Sequence, residues 1–284
     1  MLSVESERHS STKKGEIGGH SGSQCPTCQE MAATTYDAAG WVSSRTDYNG
    51  NLTCYSNDPV RGLELERIEG FAQGSTCPSD LASYSPSPGS VQRKISTTWS
   101  SSFRLPTLII ELTRTTAFTY DSSGNVLTRT ITDTNASPNA SRTSTYTYDN
   151  FGRVLTAKGP RTDSNSTTTY TYYSCTSGAQ CGRLQTITDA VGNLTTYNTY
   201  NAYGQPLTIT DPNGVVTTLT YDARQRPTTR RTGSETTTFG YYPTGSLKTV
   251  TNPDGSSVQF IYDAAHRLTE VQDGSGNSIR YTDG

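Results

Sequence analysis

From Thr34 onward, short polar turns alternate with runs dominated by β-branched and aromatic residues, such as TTTYTYY (167–173), VVTTLTY (215–221) and SVQFIY (257–262). These residue types with a two-residue alternation are the signature of strands exposing one face and half-burying the other. The runs are punctuated by an Asx-x-x-Gly spacing: Asp47 with Gly50, Asp189 with Gly192, Asp211 with Gly214, Asn252 with Gly255 and Asp273 with Gly276. An Asp or Asn side chain accepts from nearby backbone amides at the first position of a type I turn, and a glycine three residues on supplies positive φ. Strand, turn, strand then reads as a β-hairpin closed by a bulge.

The hairpins recur. Tyr200, Tyr221, Tyr241 and Tyr262 follow one another at intervals of 20 to 21 residues, and a fixed period decides an architecture before any single residue does. With the tyrosine as position zero, the same phrase runs YDAAGWV from Tyr36, YDSSGNV from Tyr120, YDNFGRV from Tyr148, YNAYGQP from Tyr200, YDARQRP from Tyr221, YYPTGSL from Tyr241 and YDAAHRL from Tyr262. The aspartates at the next position are Asp37, Asp121, Asp149, Asp222 and Asp263. WSSSFRL from Trp99 reads as a further copy with an indole in place of the phenol. A stretched copy ends in Gly182, Arg183 and Leu184, with Tyr173 displaced by an insertion at 174–181. Two short strands and two turns per period predict the tyrosines on successive, adjacent strands, in a line across one sheet.

Composition sharpens the picture. Of 284 residues only 31% are hydrophobic, mean hydropathy is −0.63, and Thr and Tyr occupy strand positions where a sandwich carries Val, Leu and Ile. Such strands cannot bury two apolar layers. The tyrosines in register, seven of the 18 in the chain, and a net charge of −2 argue against disorder. Stability is expected from backbone ladders and cross-strand Tyr, Thr and Val pairs summed from unit to unit.

YDxxGRV, TDPNG and the Thr/Tyr-rich strands resemble the YD repeats of bacterial RHS (rearrangement hot spot) proteins, a family shared with teneurins and the C components of insecticidal toxin complexes. The resemblance spans roughly residues 33 to 284. It implies an all-β ribbon of tandem hairpins that spirals into a hollow shell around a C-terminal polypeptide, often a toxin, in a secreted or cell-surface parent. Its implied partners are that enclosed chain and the remaining shell repeats. Complete members carry a DPxGL-type motif for self-cleavage. Here Asp211-Pro212 continues into Asn213-Gly214, which is turn chemistry, so the chain is expected to be a shell segment without the cleavage machinery or cargo.

Residues 1–32 are polar, rich in Gly and Ser and without period, and read as a disordered leader with no signal peptide. Residues 33–56 hold the first repeat. Residues 57–98 form a non-repeat insertion, with DPVRGLELERIEG a short helical or strand excursion and YSPSPGS a loop. Tandem repeats occupy 99–284. No stretch approaches the length of apolar residues that a membrane-spanning helix needs.

Candidate chemistry is sparse. Cys175 and Cys181 bracket the insertion and Cys54 and Cys77 bracket the non-repeat block, so both pairs are candidate disulfides, with reduced thiols the alternative. Cys25-Pro-Thr-Cys28 has zinc-knuckle or redox spacing but no second CxxC, and reads as incidental. His266 stands where sister repeats have Gly and reads as a solvated turn residue. The repeated aspartates Asp37, Asp121, Asp149, Asp222 and Asp263, one per repeat, lack the acidic clustering a calcium site requires, and read as turn and strand-end caps. No catalytic constellation, cofactor motif or metal site emerges. With 23 basic against 25 acidic residues there is no nucleic-acid footprint. The repeated tyrosines and hydroxyls suit sugar stacking, which makes a surface polysaccharide-binding or adhesion module the alternative to a non-enzymatic shell wall.

Overall fold

The structure, a computed structural model, describes residues 33–175 and 178–281. The expected leader and the Cys25/Cys28 pair lie outside the described residues. Every regular element described is a β-strand, and the chain divides into two compact units, Met1–Lys94 and Ile95–Gly284.

In the first unit β1 (Thr34–Tyr36), β2 (Val42–Thr46), β3 (Leu52–Asn57) and β4 (Glu64–Phe71) pair in chain order, all antiparallel. Alternation along β3 points Leu52 and Cys54 to one face, where they meet Ile68 and Phe71 of β4 and Leu81 from the loop that follows. Cys54 and Ile68 are fully buried. DPVRGLELERIEG thus resolves as a turn and a strand, and the Pro-rich end as loop. The loop is tied down by polar contacts: Lys94 Nζ donates to the Tyr84 carbonyl at 3.0 Å and faces Glu66 at 3.7 Å, and the Tyr84 hydroxyl donates to Gln92 Oε1 at 2.7 Å.

The second unit is a long meander. Its first strands are β5 (Arg93–Trp99), β6 (Pro106–Ile110), β7 (Arg114–Tyr120), β8 (Val126–Asp133), β9 (Ala140–Tyr148) and β10 (Val154–Lys158). It continues through β11 (Thr167–Tyr172), β12 (Leu184–Thr188), β13 (Leu194–Tyr200), β14 (Pro206–Thr210), β15 (Val216–Tyr221) and β16 (Pro227–Thr232). The last strands are β17 (Glu235–Tyr241), β18 (Leu247–Thr251), β19 (Ser257–Tyr262), β20 (Leu268–Asp273) and β21 (Ser278–Arg280). Each strand pairs antiparallel with the next.

Register gives the sheet two different faces. On one, threonines stand opposite threonines and share hydroxyl hydrogen bonds, as in Thr119/Thr128, Thr147/Thr156, Thr171/Thr186 and Thr220/Thr229. On the other, aromatic residues face aliphatic ones, as in Tyr170/Ile187, Tyr197/Ile209, Phe239/Val250 and Phe260/Val271. Cross-strand pairs of these kinds contribute about 0.2–1 kcal/mol each. Among the described residues of this unit only Ile95, Thr116 and Thr237 are buried. A one-layer ribbon held by pairs, with no apolar interior, is what the low hydrophobic content permits.

The motif tyrosines close β1, β7, β9, β13, β15, β17 and β19, hence every second strand and not adjacent ones. The period contains a whole hairpin, so an even-numbered strand always intervenes. All the tyrosine turns of the second unit therefore lie on one edge of its meander, and the Asx-x-x-Gly turns on the other.

Candidate functional site: a ladder of aspartate turns

At Asp121 the backbone N–H donates to the Asn125 carbonyl at 2.9 Å, and Gly124 N–H donates to the Asp121 carbonyl at 3.2 Å. Oδ1 of Asp121 accepts from the amides of Ser123 at 2.8 Å and Asn125 at 2.9 Å, while Oδ2 accepts from Asn125 Nδ2 at 2.8 Å. One carboxylate thus satisfies the donors of a five-residue turn that would otherwise be orphaned. Asp37, Asp149, Asp222 and Asp263 use the same Oδ1 pattern. So do Asp189, Asp211 and Asp273 on the opposite edge of the second unit, and Asp47 in the first unit. The two turns that differ in sequence are one device used twice per period. At Asn252 it is modified: Asp254 Oδ1 caps Ser256 instead.

The residue four beyond the aspartate completes the clamp. It is Asn51, Asn125, Asn193 or Asn277 through Nδ2, and Arg153, Arg226 or Arg267 through Nε at 2.6–2.8 Å. These hydrogen bonds hold Asp47, Asp121, Asp189 and Asp273 below the usual carboxylate range, with the asparagine side chain the largest cause. Arg226 does the same for Asp222, and the Arg267 amide and guanidinium for Asp263. At Asp149 partial burial pushes upward, and the bonds from Arg153 outweigh it.

The position before the clamp residue takes positive φ. It is glycine in most turns, but Gln225 has φ 64° and His266 φ 62°. At Gly204 (φ 83°) a Cβ would also lie 2.1 Å from the guanidinium carbon of Arg183.

The tyrosines are explained by their hydroxyls. Tyr120 donates to the Pro106 carbonyl, Tyr148 to Val126, Tyr200 to Leu184, Tyr221 to Pro206 and Tyr241 to Pro227, at 2.6–3.0 Å. Each acceptor is the residue that closes the preceding tyrosine turn, so every phenol ties one turn to the last. Burial raises the phenol pKa values, that of Tyr200 to about 12. Arginine adds a second tie: the guanidinium carbon of Arg153 lies 4.4 Å from the Tyr172 ring centre and that of Arg226 4.2 Å from Tyr241. Tyr262 instead meets Tyr242 edge-on at 6.0 Å.

Three details depart from the sequence reading. In the stretched copy Tyr172, not Tyr173, holds the repeat position: it pairs with Leu184 and donates to the Val154 carbonyl at 2.8 Å. Tyr173 stands in the aspartate's place, its N–H bonded to the Arg183 carbonyl. Trp99 does begin a turn of this kind, but it pairs with Pro106, because the turn bonded from Ser100 N–H to Leu105 C=O is one residue longer. The same longer turn opens the supposed non-repeat block, where Asp58 N–H donates to the Leu63 carbonyl and Asp58 Oδ1 accepts from Val60 and Arg61. Asn57 hides it by replacing the tyrosine.

Cys54 and Cys77 are joined with Cα atoms 5.7 Å apart, and Cys175 and Cys181 with Cα atoms 4.1 Å apart at the base of the insertion. His266 is exposed at its turn. Among the described residues no group of three or more His, Cys, Asp or Glu could hold a metal ion, and no helix is long and apolar enough to cross a membrane.

Repeated hairpins, capped by aspartate and tied turn to turn by tyrosine, define a β-ribbon repeat protein. The RHS Repeat family model matches residues 182–216, 200–238 and 241–278. The fold is shared with solved toxin complexes. The TcdB2-TccC3-Cdc42 structure superposes with a TM-score of 0.63 at 16% identity, covering 84% of this chain and 13% of that one. TcdB2-TccC3 without its hypervariable C-terminal region gives 0.64 at 16%, again covering 84% and 13%. A Photorhabdus luminescens Tc holotoxin pore gives 0.59 at 14%, covering 87% and 15%. The chain therefore spans a small part of the length of those proteins. No curated protein matches it in sequence.

Proposed function

We propose that this chain is a non-catalytic wall segment of an RHS-type β-shell in an extracellular parent protein, and that the shell encloses a C-terminal polypeptide. The observation that carries the reading is the tyrosine-to-carbonyl chain. It makes each hairpin a binding surface for the next and lets a ribbon poor in apolar residues extend without a core. Likeness to TcdB2-TccC3, which has a hypervariable C-terminal region, supports an enclosed tail. The partners on this reading are neighbouring shell repeats and that tail.

The test is protease protection in the intact product of the gene that encodes this chain. A C-terminal segment resistant to a broad-specificity protease in the native protein, and digested once the ribbon is unfolded by denaturant, is the expected result. A C-terminal segment cut as fast in the native protein as in the unfolded one would contradict enclosure and favour the surface adhesion reading.

A further inference from the structure

The two edges of the second unit use the same local turn, yet they are not equally tied. On the tyrosine edge, side chains reach from one turn to the next. Arg153 Nη1 donates to the Gly182 carbonyl at 2.8 Å, Gln205 Nε2 to the Gln225 carbonyl at 2.7 Å and Arg224 Nη1 to the Pro243 carbonyl at 2.6 Å. Phenol bonds and Arg–Tyr stacking add to these ties. On the opposite edge the turns at 211–215, 252–256 and 273–277 bond within themselves. Among the described residues, the side chain that reaches the turn at 189–193 from elsewhere is Asn165, whose Nδ2 donates to the Ala190 carbonyl at 2.9 Å.

Most tyrosine turns keep one spacing, from Tyr120 to Val126, Tyr148 to Val154, Tyr200 to Pro206 and Tyr221 to Pro227, the exception being the stretched connection 173–183 between β11 and β12. The opposite connections run from the two residues Gly233 and Ser234 between β16 and β17 to the whole stretch 159–166 between β10 and β11.

We infer that the ribbon has a taut edge, the tyrosine edge, and a compliant edge opposite, so that bending and opening of the sheet occur by fanning apart the Asx-x-x-Gly turns while the tyrosine turns stay in contact. This concerns the ribbon itself and holds whatever it encloses, so its failure is separable from failure of the shell reading.

Hydrogen exchange on the whole chain tests it, because the turn amides of Gly204 and Gly245 on one edge and of Gly214 and Gly255 on the other donate to equivalent local carbonyls. Local bonding being equal, slower exchange at Gly204 and Gly245 reads the ties between turns. The Gln205→Ala, Arg224→Ala double variant removes two ties and leaves every aspartate cap. It should speed exchange at 222–226 and 242–246 by roughly three- to tenfold, the factor expected for a net hydrogen bond or two, with 211–215 and 252–256 unchanged. Circular dichroism and Gln205→Ala alone separate this from general unfolding: the single variant should speed 222–226 and leave 242–246 as it was. Equal exchange at both edges in the unmodified chain, or acceleration spread evenly over both edges in the variants, would overturn the inference.

Discussion

The aspartate of each turn accepts several hydrogen bonds as an anion, and this fixes the pH response. At Asp47, Asp121, Asp149, Asp189, Asp222, Asp263 and Asp273 the pKa in the fold lies below the ordinary 3.8, so the contribution of these carboxylates is complete above that value and is lost as pH falls through the lower, folded pKa. The phenols act in the opposite sense. A folded pKa near 12 for Tyr200, against an ordinary 10.0, means that stability is complete below pH 10 and is lost as pH rises toward 12. Stability against denaturant should be flat through neutral pH, falling below about pH 4 by the carboxylate rule and above about pH 10 by the phenol rule. Asn substitutions at Asp121 and Asp189 should flatten the acid limb. Substituting Tyr221→Phe should cost about 0.5–1.5 kcal/mol by equilibrium unfolding, whereas Tyr36→Phe, on an exposed side chain, should be neutral. His266→Gly should stabilise by up to about 1 kcal/mol, since relief of a left-handed non-glycine residue exceeds the entropy cost of glycine. A thermal scan that fell with this substitution would contradict the turn assignment.

At the scale of elements, hairpins and their order were legible because turn residues and alternating runs carry that information locally. The identity of the two turn types was not, because the tyrosine drew the eye while the shared aspartate three residues before a positive-φ position did the bonding. The turn at Asp58 escaped for the same reason, Asn57 standing in for tyrosine, and the extra residue after Trp99 shows only in cross-strand pairing. Why tyrosine recurs could not be read at all: its partner is a backbone carbonyl of the previous repeat, which has no sequence signal. In the first unit the structure makes Cys54–Cys77 a clasp between β3 and the loop that completes the core. Closing a separation of 23 residues corresponds to about 3 kcal/mol by the chain-entropy estimate. Under reductant, exchange at residues 52–54 and 66–71 should accelerate strongly while the strands from β7 onward keep their protection. Unchanged exchange at β3 and β4 would show the clasp to be dispensable.

For the molecule as a whole, the scarcity of apolar residues and the fixed period pointed to a repeat ribbon, and the matches to RHS repeats and to toxin-complex structures agree with that architecture. What a ribbon encloses is not written in its repeats, since the Thr face and the aromatic face both serve pairing between neighbours. Adding repeats should raise stability step by step, because each unit brings a new tyrosine-to-carbonyl interface. The most direct measurement is a cryo-electron microscopy reconstruction of the intact gene product. It should show the hairpins as part of a continuous wall around an internal volume that holds additional density, with the tyrosine turns aligned along one edge. The same hairpins laid out as an open stalk, with no enclosed volume, would contradict the shell.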